Sequence, residues 1–243
     1  MSLSEFGTDF LWGVATAAYQ IEGSPDADGK GPSIWDTFTH RPGKIADGST
    51  GDIATDSYRR FPEDVALVHS LGFGAYRFSL SWPRIQPDGR TINRAGLDHY
   101  ERVIDSCLGA GIEPWVTLYH WDLPQALEDE GGWTNRAIVD AYAEYVAVVG
   151  DTLGDRVTNW MLFNEPLSFT MLGYMLGEHA PGRRGLNNFF PAIHHVHLAT
   201  AAGATALRAT ATDPVVGTTH YLTAAKGSGP GPNLALRAER AAN

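Results

Sequence analysis

Asn159-Trp160-Met161-Leu162-Phe163-Asn164-Glu165-Pro166 decides how the rest of the chain is read. Its first five residues form an apolar run of strand length. Asn164 and Glu165 follow at once, and Pro166 stops the run. A carboxyl flanked by Leu162 and Phe163 and held by a proline is expected on a rigid rim at a strand end, partly desolvated. Desolvation raises a carboxyl pKa, as a general acid near neutral pH requires. A surface glutamate at a helix start is the alternative that this local pattern leaves open.

The same punctuation recurs outward from this stretch. Ile138, Tyr142, Tyr145, Val149 and Leu153 form a helical stripe before it, with Thr134 as the expected cap. Ile193, Val196, Thr200, Gly203 and Leu207 form another after it. Strands are predicted at Phe10–Val14, Ala75–Ser79, Pro114–Leu118 and Val215–His220. Helices are predicted at Pro62–Leu71, with Pro62, Glu63 and Asp64 in its first turn and Gly72 at its end, and over a stripe of Leu97, Tyr100, Val103, Ile104, Cys107 and Leu108 closed by Gly109 and Gly111. A further helix is expected from Leu234 to Ala242, after a loop at Gly227–Pro232.

Alternating strands and helices imply a parallel α/β sheet, either doubly wound or a (β/α) barrel. No G-x-G-x-x-G or Walker motif follows any strand; polar and aromatic residues crowd there instead, as on the active face of a barrel. The strand starts recur every ~51 residues, so eight repeats need about 400. The 243 residues are therefore expected to be the N-terminal part of one barrel domain, about strands 1–5. Its last strand needs a neighbour, from a missing C-terminal half-barrel or a homo-oligomer.

The net charge of −10 argues against nucleic acid and anionic membranes as partners. No basic start leads into an apolar run, and no ~18-residue apolar span occurs, so a soluble, cytoplasmic protein is expected. Cys107 is the single cysteine and is expected to be inert core. His194-His195-Val196-His197 lacks zinc-protease spacing and reads as a polar helix start, so no metal or cofactor is expected.

Strand ends supply the other candidates. Tyr119-His120-Trp121-Asp122 offers an indole face for the C–H face of a pyranose and an imidazole for hydroxyls. Gln20, in Tyr19-Gln20-Ile21-Glu22, carries both a donor and an acceptor. Arg77 interrupts an apolar strand and needs a partner, structural or catalytic.

Together these residues resemble glycoside hydrolase family 1. The resemblance rests on residues 10–23 (Phe10-Leu11-Trp12-Gly13 through Glu22-Gly23), Ser33-Ile34-Trp35-Asp36, Tyr76-Arg77-Phe78-Ser79, Ser81-Trp82-Pro83-Arg84-Ile85, residues 117–124 (Thr117 to Pro124) and Asn164-Glu165-Pro166. It implies a (β/α)8 TIM barrel that hydrolyses β-glucosides with retention, with Glu165 as acid/base. It places Gln20, His120, Trp121 and Asn164 around the sugar, Asn164 beside the 2-OH, and Arg77 beside the nucleophilic glutamate. The nucleophile's Thr-Glu-Asn-Gly motif is not in the chain; Glu178 and Glu239 have no such context. Leu162 stands where the family usually has threonine, and Gly217-Thr218-Thr219-His220-Tyr221 matches the family's fifth strand poorly. A non-catalytic sugar-binding protein and a self-assembling half-barrel are the competing expectations.

Overall fold

A computed structural model describes residues 6, 7 and 9–222. Five strands, β1 (Gly13–Ala15), β2 (Ala75–Ser79), β3 (Glu113–Tyr119), β4 (Asn159–Asn164) and β5 (Val215–Thr219), form one sheet in the order β1-β2-β3-β4-β5. Every pairing is parallel. A doubly wound sheet reverses its strand order at a switch point. Here the order never reverses, so the elements are consecutive β/α units of a barrel wall. Among the described residues β1 and β5 each pair on one side only.

The crossovers carry α1 (Ala18–Ile21), α2 (Ile34–Thr39) and α3 (Ser57–Ser70); then α4 (Trp82–Ile85) and α5 (Arg94–Gly109); then α6 (Gln125–Asp129) and α7 (Ile138–Leu153); and last α8 (Pro166–Thr170) and α9 (Leu186–Thr210). The stripe of α7 is buried throughout. Two of its members also satisfy strand carbonyls: Tyr142 Oη donates to Leu162 O at 2.6 Å and Tyr145 Oη to Leu118 O at 3.0 Å. Gly203 lets α9 approach; a Cβ there would lie 2.7 Å from the Tyr142 ring. Cys107 is fully buried, and burial pushes its thiol up to about 12.

Five local expectations need correction. Phe10, Leu11 and Trp12 are exposed and precede the strand; Phe10 and Trp12 stack with Phe6 instead of entering the core. Helix α3 begins at Ser57, so Pro62 lies inside it and Glu63 and Asp64 fall beyond its first turn. Those carboxylates pair with Arg60 and with the Ser57 hydroxyl. Leu108 is exposed at the end of the α5 stripe. Thr134 lies in a 3-10 turn, its hydroxyl bonded to Gly131 O at 2.6 Å, and does not cap α7. The His194–His197 segment lies inside α9, which starts eight residues earlier, at Leu186. The helix expected at Leu234–Ala242 and the loop at Gly227–Pro232 lie outside the described residues. Among those described, no helix is long and apolar enough to cross a membrane.

Candidate active site

Parallel strands put all their C-terminal ends on one rim. That rim receives Gln20 from α1 just after β1, His120 and Trp121 directly after β3, and Asn164 and Glu165 at the end of β4. Arg77 lies within β2. Its neighbours Tyr76 and Phe78 face α3 and α5 beside Phe61 and Val103. Strand alternation therefore turns Arg77 to the opposite, inner side of the sheet.

There Arg77 ties three strands together. Its Nε donates to Thr117 Oγ1 at 2.9 Å and its Nη2 to Asn164 Oδ1 at 2.6 Å. Burial pulls the guanidinium below its ordinary pKa, and the Glu165 carboxylate opposes that shift. The hydrogen bonds of Arg77 are thus those of a structural partner, and the Glu165 carboxylate is close enough to act on its charge.

Glu165 occupies the left-handed region, φ 49° and ψ 67°, which non-glycine residues adopt at a cost of roughly 1–3 kcal/mol. Its backbone is held from both sides: Glu165 N donates to Thr219 O at 2.8 Å, and Glu165 O accepts from Phe169 N at 3.2 Å. Pro166 opens α8 with its ring at the first helical position, where a missing N–H costs nothing. Trp121 is also left-handed, φ 71°, and its Nε1 donates to Asn164 O at 2.8 Å. Two strained rim residues are therefore coupled through Asn164, which is buried.

A cavity of about 360 Å³ opens beside them, walled by Gln20, His120, Trp121, Tyr19, Trp35 and His179 among others. Arg77, Asn164 and Glu165 are not among its lining residues. Burial, aided by the Arg77 cation, pulls His120 down to about 4, so its imidazole is neutral at pH 7. Behind the rim, burial pushes Asp122 up to about 6 against the pull of Lys30, and Ser81 Oγ donates to its carboxylate at 3.1 Å.

The helix that presents Trp35 is fixed locally. Ser33 Oγ accepts from Asp36 N at 3.1 Å and Asp36 Oδ2 accepts from Ser33 N at 2.9 Å, a reciprocal cap. Lys30 Nζ closes on the same carboxylate at 2.6 Å. Below Gln20, Glu22 accepts from Tyr100 Oη at 2.6 Å and pairs with buried Arg84 at 3.1 Å. Tyr19, Trp35, Thr39 and His179 are cavity residues that the strand-end argument does not reach. Tyr19 and Trp35 carry a signal, in the 10–23 and Ser33–Asp36 motifs; Thr39 and His179 carry none. No group of three His, Cys, Asp or Glu that could hold a metal occurs among the described residues.

Comparison with known proteins gives a consistent answer. The profile of Glycosyl hydrolase family 1 matches residues 2–243. The chain is 51% identical over 218 residues to β-glucosidase A of Thermotoga maritima, covering 89% of this chain and 49% of that protein. A solved family 1 β-glucosidase from Thermotoga maritima superposes with a TM-score of 0.93 at 48% identity, covering 97% of this chain and 53% of the other. The same organism's β-glucosidase in complex with glucoimidazole gives 0.86 at 51% identity, covering 88% and 49%. The chain thus spans about half the length of the relatives it matches, and it belongs to glycosyl hydrolase family 1 as a partial (β/α)8 barrel.

Proposed function

We propose that all 243 residues form the N-terminal part of a single barrel domain that hydrolyses terminal β-D-glucosyl residues with retention of configuration. Glu165 is the general acid/base. Protonated, it delivers its proton to the departing glycosidic oxygen while a second carboxylate attacks the anomeric carbon. It then deprotonates the water that releases the sugar. The two carboxyls lie ~5–5.5 Å apart in such a mechanism. The second carboxylate comes from sequence outside these residues, on the same polypeptide or another. Arg77 stands beside it. Gln20, His120 and Trp121 hold the sugar, and Asn164 contacts its 2-OH, a contact that strengthens in the oxocarbenium-like transition state.

The observation that carries this reading is the placement of Glu165. It stands on the rim that bears His120, Trp121 and Gln20, in a strained conformation that the surrounding backbone holds. The names of the relatives, β-glucosidases, support the reaction type, and a relative's complex with glucoimidazole supports a sugar-sized ligand. The lone, buried Cys107 suits a reducing compartment such as the cytoplasm.

The test is turnover of an aryl β-glucoside by the isolated chain and by the chain mixed with the C-terminal half of the Thermotoga maritima relative. Activity is expected only from the mixture. Strong turnover by the isolated chain, abolished by Glu165→Gln, contradicts an external nucleophile.

A further inference from the structure

The peptide that joins Asn164 to Glu165 leaves the regular ladder. Met161 pairs with Gly217 and Asn164 with Thr219, so β4 carries one residue more than β5 between these points. An extra residue of this kind bends a strand and re-aims the side chains beside it. The N–H of that peptide still reaches β5: Glu165 N donates to Thr219 O at 2.8 Å. Its carbonyl is taken from the other side, by Trp121 Nε1 at 2.8 Å. The paired residues of β3 and β4 end at Tyr119 and Phe163. The indole bond therefore continues the wall where the backbone ladder between those strands stops.

A peptide unit is planar, so its N–H and its C=O turn together. Turning it changes ψ of Asn164 and φ of Glu165. Bonds at both ends of one plane therefore fix φ of Glu165, and that φ, 49°, is one a glutamate adopts only at a cost. The Trp121 side of this clamp is itself held. Its backbone is left-handed, φ 71°, and its ring centroid lies 5.6 Å from the His179 ring and 5.9 Å from the His120 ring. An indole has one polar atom, a donor, and here it is spent on the main chain. Contact between Trp121 and a sugar is then left to the ring carbons.

We propose that Trp121 is a positioning residue for the acid/base: its indole N–H fixes the Asn164–Glu165 peptide and so aims the Glu165 carboxyl. The proposal rests on the reading of Glu165 as general acid/base and adds the part that holds it in place.

The test separates the N–H from the ring. Trp121→Phe keeps a ring and removes the donor. Trp121→His drops the outer six-membered ring and keeps a donor, since Nε2 of an imidazole stands where Nε1 of an indole does. Urea unfolding establishes that each variant is folded. Hydrogen exchange, followed by NMR on the isolated chain, should show the Trp121 Nε1–H exchanging at least ~10-fold more slowly than a free indole. The Glu165 amide should exchange about tenfold faster in Trp121→Phe than in the parent, the effect of one lost hydrogen bond, and within about threefold of the parent in Trp121→His. The chains are then mixed with the C-terminal half of the Thermotoga maritima relative, with Glu165→Gln as the reference. Trp121→Phe should lower turnover of an alkyl β-glucoside about 10- to 100-fold, as a displaced catalytic group does. First-turnover release from 2,4-dinitrophenyl β-glucoside should stay within about threefold, because that leaving group needs no proton. Trp121→His should recover most of the alkyl rate. Equal exchange of the Glu165 amide in the parent and in Trp121→Phe overturns the clamp. Equal loss on both glucosides in Trp121→Phe, where Glu165→Gln is selective for the alkyl one, overturns the positioning role and leaves the acid standing. Trp121→His no better than Trp121→Phe overturns the role of the N–H. An unselective Glu165→Gln overturns the acid and this role with it.

Discussion

Replacing Arg77 by lysine keeps the charge of β2 and removes its fork. The guanidinium reaches Thr117 Oγ1 and Asn164 Oδ1 together, at 2.9 and 2.6 Å. A lysine ammonium is a compact point donor and can serve one of these acceptors from that backbone position. A hydrogen bond to a charged group contributes about 1.5–3 kcal/mol, so the loss of one should destabilise the fold by about 2 kcal/mol. For a unit of this size each kcal/mol moves the midpoint by ~2–4 °C, which gives a fall of about 4–8 °C. Urea unfolding of the chain should show a lower midpoint at an unchanged slope, because the exposed area is unchanged. Asn164, released from Arg77, should also bind cellobiose less well. A variant with the parent's midpoint and the parent's sugar affinity would refute the claim that Arg77 holds Asn164 in place.

The connection behind the cavity and the protonation of the core supply further tests. A Cβ on Gly132, at φ +52°, would sit 1.9 Å from Glu128 Oε2, the carboxylate that accepts from Tyr174 at 2.7 Å and Arg183 at 2.5 Å. Gly132→Ala should cost about 2–4 kcal/mol through the broken network, read as a lower urea midpoint; a change under ~0.5 kcal/mol would remove that anchor from the account. His99 and His120 are held down to about 4, chiefly by burial. Their contribution is complete above their ordinary 6.5 and is lost as pH falls toward 4, because the unfolded chain binds protons the folded one does not. Asp122 runs the other way: raised to about 6, its contribution is complete below 3.8 and lost as pH rises through 6. Between these limits these two histidines outweigh this aspartate, so the combined contribution of the three should fall by about 1.4 kcal/mol per pH unit on acidification. Asp122→Asn should steepen that fall, and a flat or rising profile towards acid contradicts it.

Barrel winding was legible because each strand of the wall is a short apolar run and each outer helix repeats its apolar residues on one face. Ala75–Ser79 matches β2, and the stripe of α7 is buried residue for residue. Misreadings arose where tertiary contacts outweigh local composition. Phe10 to Trp12 are as apolar as any strand but pack on one another outside the sheet. Pro62 is tolerated inside α3, so its preference for a first turn did not locate the helix start. The positions of Gln20, His120, Trp121, Asn164 and Glu165 at the strand ends were readable, because apolar runs that end in polar or aromatic residues mark the rim of a barrel. The place of His179 beside Trp121 was not, since a long connection folds it back there. The left-handed backbone at Trp121 and Glu165 leaves no mark in residue type, because neither is glycine or asparagine.

The leaving-group dependence of Glu165→Gln tests the account most directly. The variant chain, mixed with the C-terminal half of the Thermotoga maritima relative, is assayed on an alkyl β-glucoside and on 2,4-dinitrophenyl β-glucoside. A general acid contributes ~10²–10⁴-fold where the leaving oxygen must be protonated. Hydrolysis of the alkyl glucoside should fall by that factor, while release of dinitrophenolate in the first turnover should stay within about tenfold of the parent. An equal loss on both substrates, or full activity on both, contradicts the assignment of Glu165 as the acid.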